Sequence, residues 1–75
     1  MLNDKFVVRQ SEHLATRLKC EMPDTRSQIR RGYTLVLGRA AAEAEVTALA
    51  DFADRHGMAN ACRLLLNCNE FFFIP

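Results

Sequence analysis

The sequence predicts an all-α fold, a small orthogonal four-helix bundle with a short aromatic C-terminal tail, in which residues 1–75 form a single helical domain. Apolar residues recur three and four positions apart along most of the chain, which is the spacing of amphipathic helices. Pro23, Gly38 and Gly57 divide it into four segments of helical length. Such short connections favour antiparallel or steeply crossing neighbours. We expect helices at about 4–19, 26–37, 42–56 and 58–69.

The first helix is expected to begin at a cap formed by Asn3 or Asp4. Phe6 falls off its apolar stripe and either covers the rim of the core or contacts something outside this chain. Pro23 ends the helix, because the residue before a proline is pushed out of helical geometry. The predicted buried stripe is Val7, Ser11, Leu14 and Leu18, flanked by Val8 and Ala15.

The second helix opens with residues 25–28, whose pattern fits a capping box in which the Thr25 hydroxyl serves the Gln28 N–H and the Gln28 side chain reaches back. Gly38 ends it, since glycine adopts the left-handed conformation of a helix terminus without a steric penalty. Arg39 is placed to reach the last carbonyls or an acidic neighbour. The predicted stripe is Ile29, Tyr33, Val36 and Leu37.

The third helix has a poorly marked start, because no Ser, Thr, Asp or Asn occupies the cap position. Glu43 and Glu45 lie in its first turn, where the helix dipole favours carboxylates. His56 and Gly57 predict a stop of the same kind as Gly38. Its stripe is Ala42, Val46, Leu49 and Ala53, with Phe52 at the edge.

The fourth helix is the most apolar and is expected to be the central element. Leu64, Leu66 and Cys68 widen its stripe so far that only Asn60, Arg63 and Asn67 are left to face water. A helix that is apolar round most of its circumference is packed on several sides. Its stripe is Met58, Ala61, Cys62, Leu65 and Asn69.

Composition argues against several functional classes. A chain of 75 residues with 49% apolar and 25% charged residues suits one small globular domain. A net charge of +1 provides no strong field towards nucleic acid or anionic lipid. The N-terminal residues lack the apolar core of a signal peptide, and no apolar run approaches membrane-spanning length, so we expect a soluble chain.

The residues that most often carry chemistry do not form a recognisable site. Cys20, Cys62 and Cys68 lack the Cys-x-x-Cys spacing and are expected to be small buried packing residues. His13 and His56 lie on different helices, and His56 is expected to act as a partner of the helix dipole. A metal site from His56, Cys62 and Glu70 is disfavoured for want of an i, i+4 ligand pair.

Neither catalysis nor a cofactor site is indicated. Ser11 and Ser27 lack the glycine-framed turn of a catalytic serine. There is no glycine-rich loop to cradle a phosphate. We therefore predict no catalytic, cofactor-binding or metal-binding residues.

Four arginines cluster on and after the second helix: Arg26, Arg30, Arg31 and Arg39. One interpretation is a nucleic-acid patch, with helices two and three as a helix-turn-helix. The other is a solvated face of salt bridges, since Asp24, Glu43 and Glu45 lie nearby. The near-neutral total charge favours the second interpretation and makes nucleic acid an unlikely partner.

The end of the chain allows two interpretations. In one, Asn69 terminates the helix, Glu70 is exposed and Phe71 folds back as a hydrophobic plug. In the other, Phe71, Phe72, Phe73 and Ile74 form an exposed patch that docks on another domain or on a second copy. Three consecutive aromatics cannot all point into one small core, so part of this segment is expected to be exposed.

Three motifs together resemble a known family: residues 2–10 with Asn-Asp-x-Phe-Val, residues 33–39 with Tyr-x-x-x-Leu-Gly-Arg, and residues 64–71 with Leu-Leu-x-x-Asn-Glu-Phe. In this order they resemble the C-terminal part of the planctomycete cytochrome-c-associated domain of unknown function. The resemblance implies the terminal helical part of a large exported multidomain protein. Lys5, Ala40 and Ala41 stand where that family has prolines, and Ala42 replaces a capping Thr. The haem motif is missing, so no redox role carries over.

The function expected from these observations is a non-enzymatic helical interaction or scaffolding module. Its partner would be the remainder of a larger protein, or a second copy bound through the aromatic tail. The alternative is a small helix-turn-helix-like nucleic-acid-binding regulator. The residues expected to hold the structure are Gly38, Gly57, Leu65, Tyr33, Asn69 and Glu70.

Overall fold

A computed structural model describes residues 5–69 and confirms the all-α four-helix bundle, with no strand in this range. The helices are α1 (Lys5–Glu21), α2 (Thr25–Leu37), α3 (Glu43–His56) and α4 (Met58–Asn69). Each bound lies within two residues of its predicted position. The cap residues proposed for α1, Asn3 and Asp4, lie outside the described residues, as does the whole aromatic tail.

Helix α4 occupies the centre of the bundle. It contacts α1, α2 and α3, whereas α1 and α3 do not contact each other within the described part of the chain. Four of its five predicted stripe residues are buried: Met58, Ala61, Cys62 and Leu65. The burial of this stripe among three neighbours agrees with a central α4, a position that α2 shares because it too contacts the other three helices.

The polar side chains of α4 are less exposed than expected. Asn60, Arg63 and Asn67 are all half-buried. The Asn60 side-chain amide donates to the His56 carbonyl at 2.7 Å, and that of Asn67 donates to the Arg63 carbonyl at 2.9 Å. The Arg63 Nε atom is buried and has no hydrogen-bond partner in the described chain. The prediction that this face meets water was therefore only partly right.

The other helices bury much of their predicted stripes, with some displacements. Val7, Ser11, Leu18, Ile29, Tyr33, Val46, Leu49 and Ala53 are buried, and Ala15 and Ala50 join them. Leu14, Val36 and Leu37 are only half-buried at the margin of the core. Ala42, predicted in the core, is exposed because it precedes α3 as its N-cap. The hydroxyl of buried Ser11 is satisfied by donating to the Val8 carbonyl at 2.7 Å.

Gly32 is a buried contact that the apolar pattern did not reveal. A Cβ atom added at Gly32 would lie 3.0 Å from the Leu65 Cδ1 atom and 3.2 Å from the Leu18 Cδ1 atom. Both distances are below ordinary van der Waals contact. The absence of a side chain therefore allows α1, α2 and α4 to meet closely at this point.

The cap of α2 differs from the predicted capping box. Asp24, not Thr25, is the N-cap, and its carboxylate accepts from the Ser27 backbone N–H at 3.2 Å and from the Ser27 hydroxyl at 2.8 Å. These bonds from Ser27 lower the pKa of Asp24. The Gln28 side chain donates to the Met22 carbonyl at 3.1 Å instead of reaching back to Thr25. Thr25 is the first helical residue, one position too late to act as the cap.

The two glycine stops are of different kinds. Gly38 is left-handed (φ 69°, ψ 22°) and donates to the Thr34 carbonyl at 3.1 Å, as predicted. Gly57 has a positive φ of 94° but an extended ψ of 151°. Its N–H donates to the Ala53 carbonyl at 2.7 Å while its own carbonyl accepts from the Ala61 N–H at 3.3 Å. Gly57 therefore ends α3 and begins α4 in a single residue, which corrects the prediction that it repeats the Gly38 stop.

Neighbouring leucines on α4 provide a test of its central position. Leu65 is 2% exposed and Leu66 is half-buried. We expect Leu65→Ala to lower the free energy of unfolding by about 2–5 kcal/mol, because it leaves a cavity among three helices. Leu66→Ala should lower it clearly less. Urea denaturation followed by circular dichroism measures both, and equal losses would contradict a core-centred α4.

Gly32→Ala tests the close approach of the three helices. Alanine is about 1 kcal/mol better than glycine in a helix interior. Overpacking against the buried Leu18 and Leu65 side chains costs about 1–3 kcal/mol. We expect a net loss of stability of roughly 1 kcal/mol in the same denaturation assay. A stabilised Gly32→Ala variant would show that the neighbouring leucines move aside freely.

Candidate interaction site

An open apolar groove lies between α3 and α4, with its inner end at α2. Its volume is about 390 Å³. We call it the α3–α4 groove; it is lined by Tyr33, Glu45, Ala48, Leu49, Phe52, Leu64, Leu65 and Cys68. With one carboxylate among mostly apolar side chains, it is a surface suited to apolar contact.

The lining of the groove combines buried, half-buried and exposed side chains. Leu49 and Leu65 are buried and form its floor, whereas Phe52 and Leu64 are half-buried along its sides. Ala48 is exposed at the edge and fills little of the space between the helices. Covering apolar surface of this kind is favourable by about 25 cal/mol per Å². Covering the groove with an apolar group therefore lowers the free energy.

The single carboxylate of the groove is engaged by an arginine. Arg39 Nη1 donates to Glu45 Oε1 at 2.9 Å and Arg39 Nη2 to Glu45 Oε2 at 2.8 Å. Arg39 also stacks its guanidinium 5.3 Å from the centre of the Tyr33 ring. The Ala42 N–H donates to Glu45 Oε1 at 2.9 Å, so Glu45 supplies half of a capping box although Ala42 has no side-chain oxygen. The predicted acidic neighbour of Arg39 is thus Glu45.

These contacts determine the ionisation states of Glu45 and Tyr33. The hydrogen bonds from Arg39, and then that from Ala42, lower the pKa of Glu45 from its ordinary value of 4.5 to about 2. Burial raises the pKa of Tyr33, and the nearby Glu45 carboxylate adds to that rise. At neutral pH the groove therefore holds an ionised, fully engaged carboxylate and a neutral phenol.

Of the three residues weighed for a metal site, His56 and Cys62 lie in the described part of the chain. Within residues 5–69 no group of three His, Cys, Asp or Glu side chains is placed to hold a metal ion. Cys62 is fully buried in the core, and burial raises its pKa to about 11. His56 is exposed and its ring lies 4.7 Å from that of Phe52, a contact the sequence did not suggest. The third candidate, Glu70, lies outside the described residues.

The cysteine prediction was right for one residue of three. Cys62 is buried, but Cys20 and Cys68 are exposed. Cys20 lies in the last turn of α1, two positions after the buried Leu18, and so faces away from the core. Cys68 lies at the far end of α4, where it lines the open groove.

The arginines on α2 form ion pairs with acidic residues of two neighbouring helices. Arg30 donates to both oxygens of Glu43, at 2.8 and 3.0 Å, and Arg26 pairs with the same carboxylate. The bonds from Arg30 and Arg26 lower the pKa of Glu43. These pairs tie α2 to the start of α3.

The remaining arginine of α2 faces α1. Arg31 donates to Glu21 at 3.0 Å, and Arg17 donates to the other oxygen of Glu21 at 2.7 Å. The bonds from Arg17 and Arg31 lower the pKa of Glu21. With Arg39 held by Glu45, each of the four clustered arginines pairs with a carboxylate, which confirms the prediction of a salt-bridged face.

The predicted site residues are distributed unevenly. Tyr33 and Leu65 line the α3–α4 groove, Gly38 follows the end of α2, and Gly57 lies between α3 and α4. Asn69 is the last described residue of α4, whereas Glu70 and residues 71–74 lie outside the described range. Sequence reasoning missed Ala48, Phe52 and Leu64 as parts of one surface. No local pattern in the sequence marked them, since they come from different helices.

Comparisons with known proteins add no relative. No described helix is long and apolar enough to cross a membrane. No known protein-family model, curated protein or solved structure matches the chain. The family resemblance drawn from the three sequence motifs therefore stays an expectation.

Glu45→Gln tests the ion pair at the groove. Because the pKa of Glu45 is lowered on folding, its contribution to stability is present above about pH 4.5 and is lost as the pH falls towards 2. Glutamine can still accept from the Ala42 N–H, so the variant isolates the contact with Arg39. We expect the natural chain to have the higher melting temperature at pH 6, with the difference narrowing on acidification.

Thermal unfolding followed by circular dichroism from pH 6 to pH 2 measures this difference. Arg39→Gln is the matched variant, since it removes the other half of the ion pair. Its melting temperature should also lie below that of the natural chain at pH 6, and this difference should narrow as the pH falls. Parallel melting curves for the natural chain and Glu45→Gln at every pH would contradict the assignment.

Proposed function

We propose that the chain is a non-enzymatic helical interaction module whose α3–α4 groove receives an apolar segment of a polypeptide partner. The observation that supports this proposal is the groove itself, an open apolar cleft whose one carboxylate, Glu45, is already engaged by Arg39. Binding surfaces of this type seat apolar or aromatic anchors and leave charged residues at the rim.

The size of the groove limits its occupant. About 390 Å³ lies at the lower end of the range for small-ligand pockets. It suits one or two large side chains from a peptide segment. Leu49, Phe52, Leu64 and Leu65 offer only apolar contact, so affinity would come from buried area and shape, with Glu45 and Arg39 marking one edge.

The partner we propose is either the remainder of a larger protein or a second copy of this chain. The first follows from the resemblance to the terminal part of large exported multidomain proteins. The second would use Phe71, Phe72, Phe73 and Ile74 as the docking segment. The second copy would bring an apolar segment of the kind that we propose the groove accepts.

The nucleic-acid-binding alternative has less support. Arg26 and Arg30 pair with Glu43, and Arg31 with Glu21, so the basic face is locally compensated. Tight binding to duplex DNA that weakens steeply with added salt would favour this alternative.

Two exposed alanines on α3 test the proposal. Ala48 lines the groove, whereas Ala44, one turn earlier, does not. In a background with Phe71→Ser, Phe72→Ser and Phe73→Ser, labelled apolar peptides and serine-substituted versions are titrated by fluorescence anisotropy. We expect binding by an apolar peptide to weaken about fivefold or more with Ala48→Gln, equivalent to about 1 kcal/mol.

Ala44→Gln is the control and should leave the dissociation constant unchanged. Both substitutions place the same good helix former at an exposed position of α3, so neither should disturb the fold. Binding that is equally sensitive to both variants, or the absence of binding across the peptide set, would count against the groove as the recognition surface.

A further inference from the structure

We infer that the outer face of α1 is a two-fold interface between two copies of this chain, in which Phe6 of each copy enters a groove beside α1 of the other. This groove lies between α1, α2 and α4 and is separate from the α3–α4 groove. We call it the α1 groove; its apolar lining is Leu14, Leu35, Val36 and Leu66. The inference goes beyond the proposed function, because it does not require the α3–α4 groove to bind anything.

Phe6 is an aromatic side chain that the fold leaves outside. It is 70% exposed, so it does not cover the rim of the core. Among residues 5–69 it is the one large apolar side chain that is exposed. A phenylalanine buries about 150–250 Å² of surface when it is covered, so a surface that receives this ring gains a substantial apolar contact.

The α1 groove offers room for one aromatic ring. Its volume is about 310 Å³, and its four apolar side chains are all half-buried. The rim is polar and comes from α1, with Gln10, His13 and Arg17. The Arg17 Nε–H donates to Glu21 at 2.7 Å, which leaves the flat face of the guanidinium to stack on a ring. The groove therefore combines an apolar floor with a cation at its edge, which suits a phenylalanine.

Phe6 and the rim of the α1 groove lie on the same face of α1. Residues 6, 10, 13 and 17 are spaced four, three and four positions apart, which places them on one side of a helix. The α1 residues of the groove centre between His13 and Leu14, about 11 Å along the helix axis from Phe6. Phe6 is therefore too far along α1 to enter the groove of its own molecule.

A protruding ring and a receiving groove on one face make this surface self-complementary. When two α1 helices pack antiparallel about a two-fold axis beside Gln10, Phe6 of each copy lies level with Leu14 of the other. Both rings then meet a groove, so the contact is made twice. The two Gln10 amides meet at the axis, where each can donate to and accept from the other. A foreign partner would have to supply both parts, whereas a second copy already carries them.

The size of the contact predicts a weak dimer. Two Phe6 rings and the two grooves that receive them bury roughly 600–1,000 Å² in total. Interfaces below about 1,200 Å² belong to weak or transient complexes. We therefore expect the dimer to be populated at about 0.1 mM protein and above, and to dissociate on dilution.

Sedimentation equilibrium tests the interface over about 10 µM to 1 mM protein. Interference optics suit a chain with one tyrosine and no tryptophan. We expect the mass of the natural chain to rise towards that of a dimer, and Phe6→Ser to weaken association about tenfold or more. Lys5→Ser is the control, since Lys5 is exposed in the same turn but does not line the α1 groove. Far-UV circular dichroism verifies that each variant keeps its helices.

Disulfide trapping tests the position of the two-fold axis. In a background with Cys20→Ser and Cys68→Ser, which leaves only the buried Cys62, a single cysteine is introduced by Gln10→Cys or by Glu12→Cys. Diamide takes up the two electrons and two protons that are released when two thiols join. We expect the linked dimer to form about tenfold faster with Gln10→Cys, because only a residue near the axis meets its own copy. Adding Phe6→Ser should slow this reaction.

The outcomes separate this interface from the proposed function. A natural chain that stays monomeric up to about 1 mM, or equal trapping of Gln10→Cys and Glu12→Cys, would overturn the inference and leave the α3–α4 groove untouched. Association that is lost with Ala48→Gln but kept with Phe6→Ser would place the second copy in the α3–α4 groove and also overturn it. Association that is lost with Phe6→Ser and kept with Ala48→Gln supports it.

Discussion

The packing of Leu65 and Leu18 over the bare backbone of Gly32 is the contact on which the bundle depends. It brings α4 against α1 and α2 at one point, and it is close because Gly32 has no side chain to hold the helices apart. A 75-residue chain buries a smaller fraction of its surface on folding than a larger protein does. A close contact at its centre therefore contributes a larger share of its stability.

The arrangement around α4 also explains why a groove is present. Helix α1 packs on α4 without contacting α3 in the described chain, so α3 is held by α2 and α4 alone. Ion pairs from Arg26, Arg30 and Arg39 fix the beginning of α3 against α2. Further along, Ala48 adds only a methyl group to the lining of the groove between α3 and α4.

Local patterns predicted much of this fold, and tertiary contacts account for what they missed. The stripe of α4 and the left-handed Gly38 depend on neighbours within one or two turns, which the sequence displays directly. The burial of Gly32 and the exposure of Cys68 depend on which helix faces which, and residue spacing does not encode that. The cap at Asp24 was missed by one residue because Thr25 fitted the same pattern. The groove was invisible for the same reason as Gly32, since its walls come from three separate segments.

The single-residue connection at Gly57 has a consequence for how the chain tolerates changes in length. Helices α3 and α4 follow one another with only this residue between them. One residue inserted there would disrupt the arrangement in which Gly57 both ends α3 and begins α4, and would shift Met58, Ala61 and Leu65 from their buried positions. Residues 38–42 form a longer connection between α2 and α3. Insertions and deletions among natural variants should therefore be frequent between α2 and α3 and rare at Gly57.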